Sequence, residues 1–176
     1  DGMSQGSTMK KLPEKGLKIA DIRGDGEAPL TLAEQAGKGG KFDRYDLRED
    51  KNPDFRTDGY VLASTPGNYD IVNVDNILEY FPKKEAIKLM REWIRIGKKG
   101  GQFKLRVPNY KKIIDSEIIW KYKYGYSDKK LRKLATATKM LKDIKVSYAD
   151  NDHSIVLSAK INTNLKWESL QENLNE

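Results

Sequence analysis

Apolar positions in this chain change their spacing from segment to segment, and the spacing predicts the elements. Leu17, Ile19, Ala20 and Ile22 make a short strand that stops at the turn Arg23-Gly24-Asp25-Gly26, because closely spaced glycines end regular structure. Leu30 to Ala36 is long enough for one or two helical turns before Gly37, Gly39 and Gly40, and Phe42 to Leu47 follows as a second strand. From Arg48 to Asn68 the chain is broken by Pro53, Gly59, Pro66 and Gly67 and reads as loop, with a short strand around Tyr60 to Ala63. Tyr69 to Val74 is rich in β-branched residues with few polar interruptions, the pattern of a strand covered on both faces. Over residues 83 to 96, Ile87, Met90, Trp93, Ile94 and Ile96 return at helical spacing between Lys and Glu, which predicts an amphipathic helix and a core position for Trp93. Gly97 to Gly101 ends that helix, with lysines where its dipole favours cations. Gln102 to Val107 alternates as a strand and closes at Pro108-Asn109.

Strand, crossover helix and strand between Tyr69 and Asn109 form a βαβ unit, so the two strands run parallel. Asp128 to Leu141 predicts a further helix, with Leu131, Leu134, Ala135, Thr138 and Leu141 on one side. Ile144 to Tyr148 and Ser154 to Ile161 alternate around Asp150-Asn151-Asp152, an antiparallel hairpin with His153 exposed at its tip. The fold class is therefore α/β: a Rossmann-like, doubly wound, mostly parallel sheet with a C-terminal antiparallel hairpin. Residues 1 to 8 read as a polar leader outside the fold, residues 9 to 161 as the domain, and residues 162 to 176 as a polar tail in which Leu165, Trp167 and Leu170 could dock. Gln102, Lys104 and Arg106 occupy one face of their strand, so that face is expected to be wet.

Composition narrows the chemistry. The chain has 176 residues, one domain's worth, with no Cys and one His, His153. Disulfides, thiolate zinc sites, cysteine nucleophiles and imidazole metal clusters are excluded, and no metal is expected. No apolar run approaches the roughly 20 residues that span a bilayer. Nothing at the start has signal-peptide character, so a cytoplasmic location is the expectation. The formal net charge of +7 is uneven: residues 83 to 148 hold 20 Lys and Arg against 6 Asp and Glu, leaving the remainder acidic. Such a basic half either attracts phosphates, with nucleic acid a possible partner, or covers solvated helix faces.

Ligands of open α/β sheets bind beyond the carboxyl ends of the strands. Gly24 and Gly26 follow the first strand, where they allow close backbone approach or simply form a turn. Asp46 ends the second strand, placed for ribose hydroxyls or for a charge pair with Arg44 or Arg48. Asp58-Gly59 is a turn dipeptide, Asp75-Asn76 closes the next strand, and Asn76 is also placed to cap a helix. Trp120, Tyr122, Tyr124 and Tyr126 interleave with Lys121 and Lys123, a pattern suited to core packing or to stacking on sugar rings and bases.

Tyr69-Asp70-Ile71-Val72, then Asn76-Ile77-Leu78-Glu79-Tyr80-Phe81, then Gly100-Gly101 before Val107-Pro108-Asn109 resemble the class I S-adenosylmethionine-dependent methyltransferases. The likeness is to the small methyltransferase type 11 group in particular, and Tyr124-Gly125-Tyr126-Ser127 before a helix and hairpin is similar to it too. The resemblance implies S-adenosylmethionine as cofactor, with Gly24 and Gly26 facing its methionine part and Asp46 holding its ribose. Asp58 and Gly59 would border the adenine, Asn76 would sit at the floor near the sulfonium, and Asp75 would belong to the same cofactor site. It further implies methyl transfer to a small-molecule or saccharide acceptor entering over Asn109, Tyr110, Tyr122 and Tyr124. Three positions depart from the pattern: Arg23 stands at a usual glycine, Tyr80 at a usual histidine and Lys99 at a usual proline. The altered glycine loop keeps open a binding module without catalysis, and the basic half keeps open an enzyme acting on nucleic acid.

Overall fold

In a computed structural model, residues 16 to 163 are described. The expected leader, and the tail beyond Thr163 with Leu165, Trp167 and Leu170, lie outside them. The elements in chain order are β1 (Lys18–Arg23), α1 (Leu30–Glu34), β2 (Lys41–Asp46), β3 (Phe55–Arg56), β4 (Tyr69–Asp75), α2 (Ala86–Arg95) and β5 (Gly97–Pro108). Then come α3 (Tyr110–Ile113), α4 (Asp128–Ala137), β6 (Leu141–Ala149) and β7 (Ser154–Ile161). The strands form one seven-stranded sheet in the order β3-β2-β1-β4-β5-β7-β6. The pairs from β3 through β5 are parallel, whereas β7 runs antiparallel to both β5 and β6. The chain thus has the α/β architecture that its periodicity predicts, with the hairpin inserted at the sheet edge.

Alternation along the strands splits the side chains between two faces. On one face Ala20 and Ile22 of β1, Val72 and Val74 of β4, Phe103, Leu105 and Val107 of β5, and Ile155, Leu157 and Ile161 of β7 join a single core. α2 covers it with Leu89, Met90, Trp93 and Ile94, and α4 adds Leu131 and Ala135. Trp93 is fully buried, and its indole Nε1 donates to the Gly59 carbonyl at 2.8 Å. Burying aromatic and branched side chains of this size stabilises by roughly 1.5–3 kcal/mol each. On the other face, among the described residues, α1 is the helix that packs, with Leu32 and Ala36 on Ile19 and Phe42 and Ile71 at the margin. Over β5, β7 and β6 that face carries exposed Gln102, Lys104, Lys160, Lys142 and Lys145. The wet face expected from Gln102, Lys104 and Arg106 is therefore present, Arg106 being half-buried.

The structure corrects four expectations. The short strand of the 48 to 68 segment is Phe55–Arg56, paired with Tyr45 and Asp46, and no strand forms at Tyr60 to Ala63. Phe55 wins because its ring stacks on buried Tyr45, with centroids 4.8 Å apart. Gly97 to Gly101 does not form a loop after α2 but begins β5, bulging where Tyr69 pairs with Gly97 and Ile71 with Gln102. A Cβ at Gly97 would lie 2.2 Å from Ile161 Cδ1 of β7 and 3.0 Å from Val72 Cγ2 of β4, so glycine lets both side chains pack on the strand there without moving. Ile87 is 38% exposed rather than in the core, and α4 stops at Ala137, leaving Leu141 to open β6.

The two faces predict opposite costs for neighbouring substitutions in β5. Leu105→Ala should lower unfolding stability by about 2–5 kcal/mol. Lys104→Ala should change it by no more than about 0.5 kcal/mol. Urea titration of both variants checks this, and equal losses would reject the assignment of faces.

Candidate functional site

The carboxyl ends of β1, β2 and β4 lie side by side, with Arg23 in register with Asp46 on one neighbour and Asp75 on the other. Residues two apart share a face, so Asp21, Arg23, Asn73 and Asp75 all project to the thinly covered side. There Arg23 is 4% exposed. Its Nε donates to Asp21 Oδ2 at 2.9 Å, and its Nη2 to Asp21 Oδ1 at 3.2 Å and Asp75 Oδ2 at 3.4 Å. Asn73 Nδ2 donates to Asp21 Oδ1 at 2.8 Å, and Arg106 Nε lies 3.7 Å from Asp75 Oδ2. Burial opposes the charge on Arg23, but the hydrogen bond and attraction of Asp21, then Asp75 and Asp46, outweigh it and hold its pKa above the ordinary value. For Asp75 burial dominates and pushes its pKa up, Arg23 and Arg106 offsetting only part. Asp75 Oδ1 is buried without a hydrogen-bond partner, and Arg23 Nη1 makes no hydrogen bond among the described residues.

Beside Arg23 opens a cleft of about 270 Å³, lined in part by Gly26, Ala28, Leu30, Asp46 and Arg48. Gly26 takes φ +72°, a conformation that favours glycine, and a Cβ on Gly24 would lie 2.8 Å from the Asn76 carbonyl oxygen. Asp46 is held from within the chain: Oδ1 accepts from the Arg48 backbone N–H and Nε, each at 2.9 Å, and Oδ2 from Nη2 at 2.9 Å. The same Nη2 donates to the Gly26 carbonyl at 2.7 Å, so Arg48 straps β2 to the β1 loop. Arg44, the other partner considered for Asp46, donates instead to the Lys51 and Asn52 carbonyls.

The remaining residues expected at the cofactor divide. Asn76 Nδ2 sits next to Gly26, 3.6 Å from where its Cβ would be. Its φ is +52°, and it caps no helix: the following short turn is entered from Ile77. Of the residues expected at the cofactor, Gly26 and Asp46 line the cleft, whereas Gly24, Asp58, Gly59, Asp75 and Asn76 do not. Asp58 Oδ1 closes a turn by accepting from Tyr60 N and Val61 N, and the Gly59 carbonyl serves Trp93. These contacts hold the loop, in which Asp58 is exposed and Gly59 buried.

A second group of polar atoms lies beyond β4. Glu79 is 2% exposed, and neither carboxylate oxygen has a hydrogen-bond partner. Burial raises its pKa to about 8, helped by the charges of Asp75 and Asp25, so it carries a proton at neutral pH. Its backbone carbonyl accepts from Lys123 N–H, drawing the aromatic segment over it. Tyr122 meets Tyr80 edge-on at 5.6 Å, and Tyr124 meets Tyr126 at 4.9 Å. Tyr80 also donates to Asp25 Oδ2 at 3.1 Å. Of the expected acceptor contacts, Tyr110, Tyr122 and Tyr124 line one open depression of about 560 Å³. Asn109 does not join them. It is buried, with its N–H donated to the His153 carbonyl and Nδ2 to that of Asp152, so it anchors the β6–β7 turn. Glu79 and Arg48 were not singled out from the sequence as site residues. Arg48 was signalled by its two-residue spacing from Asp46, and Glu79 only by a charge amid apolar neighbours.

No protein-family model matches the chain, and no curated protein matches it. Solved structures do. A possible exported protein from Bordetella parapertussis superposes with TM-score 0.65 at 13% identity, over 85% of this chain and 63% of that one. An S-adenosylmethionine-dependent methyltransferase from Aquifex aeolicus gives 0.65 at 13%, over 84% and 83%. Human N-acetylserotonin methyltransferase in complex with S-adenosylmethionine gives 0.59 at 13%, over 84% and 48%. The chain thus spans from about half to about four fifths of the length of these proteins. It has the class I S-adenosylmethionine-dependent methyltransferase fold.

Glu79 makes stability depend on pH. Its folded pKa lies above the unfolded one, so its contribution is full below about pH 4.5 and is lost as pH rises through about 8. Glu79→Gln should flatten the stability profile between these limits in urea titrations. A loss that persists unchanged in the variant would show that another group causes it.

Proposed function

We propose that this domain transfers a methyl group from S-adenosylmethionine to a small-molecule or saccharide acceptor. What supports this reading is that Arg23 lines the cleft and its Nη1 makes no hydrogen bond among the described residues, so it is free to meet the carboxylate of the cofactor's amino-acid end. Asp75, bonded to Arg23 through Oδ2, is not in the cleft lining and its Oδ1 is buried. At the ribose, Asp46 fits in part: Oδ1 takes two donors from Arg48, while Oδ2 takes one and keeps a lone pair. The 270 Å³ cleft falls just below the roughly 300–1,000 Å³ of ordinary ligand pockets. Arg48, which spans Asp46 and Gly26, is the side chain whose displacement enlarges it.

Bound there, the cofactor supplies an electrophilic methyl group, and the protein's part is to position it against the acceptor. Arg23 holds the carboxylate, and Gly26 leaves the backbone room to approach. Asn76, beside Gly26, forms the floor near the sulfonium. Tyr110, Tyr122 and Tyr124 present flat faces to the acceptor, which suits a sugar ring. Glu79 stays neutral beneath the aromatic segment, so it adds no charge to compete for the cationic methyl donor.

A second reading, a binding module without catalysis, is favoured by the same Arg23. Its guanidinium already neutralises Asp21 and Asp75, and Arg48 already occupies Asp46. A nucleic-acid acceptor draws support from the lysines on the bare face of β5, β7 and β6.

Calorimetry with S-adenosylmethionine and S-adenosylhomocysteine separates these. Methyl transfer requires binding, about tenfold weaker or worse in Asp46→Ala and tighter in Arg48→Ala, which frees Asp46. No binding at millimolar cofactor in either the parent or Arg48→Ala would select the module. Retention on RNA or DNA that is indifferent to salt would remove nucleic acid as the acceptor.

A further inference from the structure

Between the start of α2 and the length of α4 lies a groove of about 520 Å³. Its apolar lining includes Ile87, Leu134 and the ring of Tyr124. Every charged residue lining it is a lysine: Lys83, Lys129, Lys130 and Lys133. None of the four forms an ion pair among the described residues. Lys83 and Lys130 instead lie 5.6 and 5.0 Å from the Tyr124 ring centroid.

The placement of these cations is unfavourable in the free protein. Lys129 and Lys130 stand in the first turn of α4, where the helix dipole opposes positive charge. Lys133 follows them at i+4 and i+3, spacings at which like charges repel. Asp128 stands in the same turn, its Oδ1 accepting the Lys129 backbone N–H, but it forms no ion pair with any of the four among the described residues. An anion would turn each of these costs into attraction. The apolar lining, with Ile87 38% exposed, gains only if the same ligand also carries hydrocarbon. Tyr126, which lines the groove too, has a buried hydroxyl without a partner.

We propose that this groove binds an anionic amphiphile, a phosphate monoester of an alkyl or prenyl chain. The chain lies along Ile87, Leu134 and Tyr124, and the phosphate sits among the four lysines. Phosphate suits the site better than carboxylate because four cations converge, and a dianion engages more of them. The groove shares no residue with the cleft beside Arg23, though Tyr124 and Lys130 also line the acceptor depression, so its occupancy is read by binding alone, whether or not the domain transfers methyl groups.

Calorimetric titration with dodecyl phosphate below its micellar concentration is the test, with inorganic phosphate, dodecyltrimethylammonium and a polyglutamate peptide as comparators. One-to-one binding of dodecyl phosphate is expected, weakened about tenfold or more in a Lys130→Gln/Lys133→Gln variant and likewise in Ile87→Glu. Both variants alter exposed positions, and unchanged thermal melting would confirm that they fold. Equal binding of the cationic amphiphile, equal binding of inorganic phosphate, or unchanged affinity in the folded variants would overturn the proposal. So would binding of the peptide without dodecyl phosphate, which would assign the groove to an acidic protein.

Discussion

The guanidinium of Arg23, bonded to Asp21 on its own strand and reaching Asp75 on the next, is the constraint around which the sheet's polar end is arranged. Two carboxylates this buried and this close would repel, and leaving either without a counter-charge costs several kcal/mol. Arg23 relieves both, Asn73 adds a further bond to Asp21, and Arg106 approaches Asp75 from β5. Arg106 in turn pairs with Asp150 in the β6–β7 turn. One chain of charges therefore runs from β1 through β4 and β5 to the hairpin, at the end of the sheet where open α/β folds bind ligands. What remains unbonded in it toward the cleft, Arg23 Nη1, carries the functional reading.

This polar strip is possible because the two faces of the sheet are covered so unequally. α2 and α4 cover the apolar face, which supplies the hydrophobic stabilisation, leaving Leu141, Ile144 and Val146 of β6 partly exposed. On the other, among the described residues, α1, five residues long, shields Ile19 and its neighbours. Charged side chains there keep partial access to water, and the lysines of β5, β6 and β7 remain solvated. Helix α4 thus has two roles: Leu131 and Ala135 face the core while its lysines rim the groove shared with α2.

The parts of the fold set by local periodicity were legible in the sequence. The β-branched run of β4, the spacing of Met90, Trp93 and Ile94, and the alternation of β7 each name their element and buried face. Features decided by distant partners were not. Phe55 rather than Tyr60 marks β3, because the choice rests on stacking with Tyr45, ten residues earlier. Gly97 to Gly101 has the composition of a loop, yet becomes strand because Val72 and Ile161 pack against Gly97. Among site residues, Gly26, Asp46, Asp75 and Asn76 gather at the strand ends. Asp58, Gly59 and Asn109 hold turns, a use that spacing alone does not distinguish from ligand binding. Glu79 escaped notice because a carboxyl between Leu78 and Tyr80 looks like an exposed helix charge until its burial is known.

The central claim is that Arg23 stabilises this end of the sheet by compensating buried carboxylates, and Arg23→Met tests it most directly. Its unfolding free energy should be compared with that of the parent chain at pH 7 and at pH 4. At pH 7 the loss should be about 3–5 kcal/mol, because Asp21 is left buried without a counter-charge and Asp75 keeps only Arg106, 3.7 Å away. It should shrink toward pH 4, where the uncompensated carboxyls take up protons. A loss of the same size at both pH values, or none at pH 7, would contradict the account.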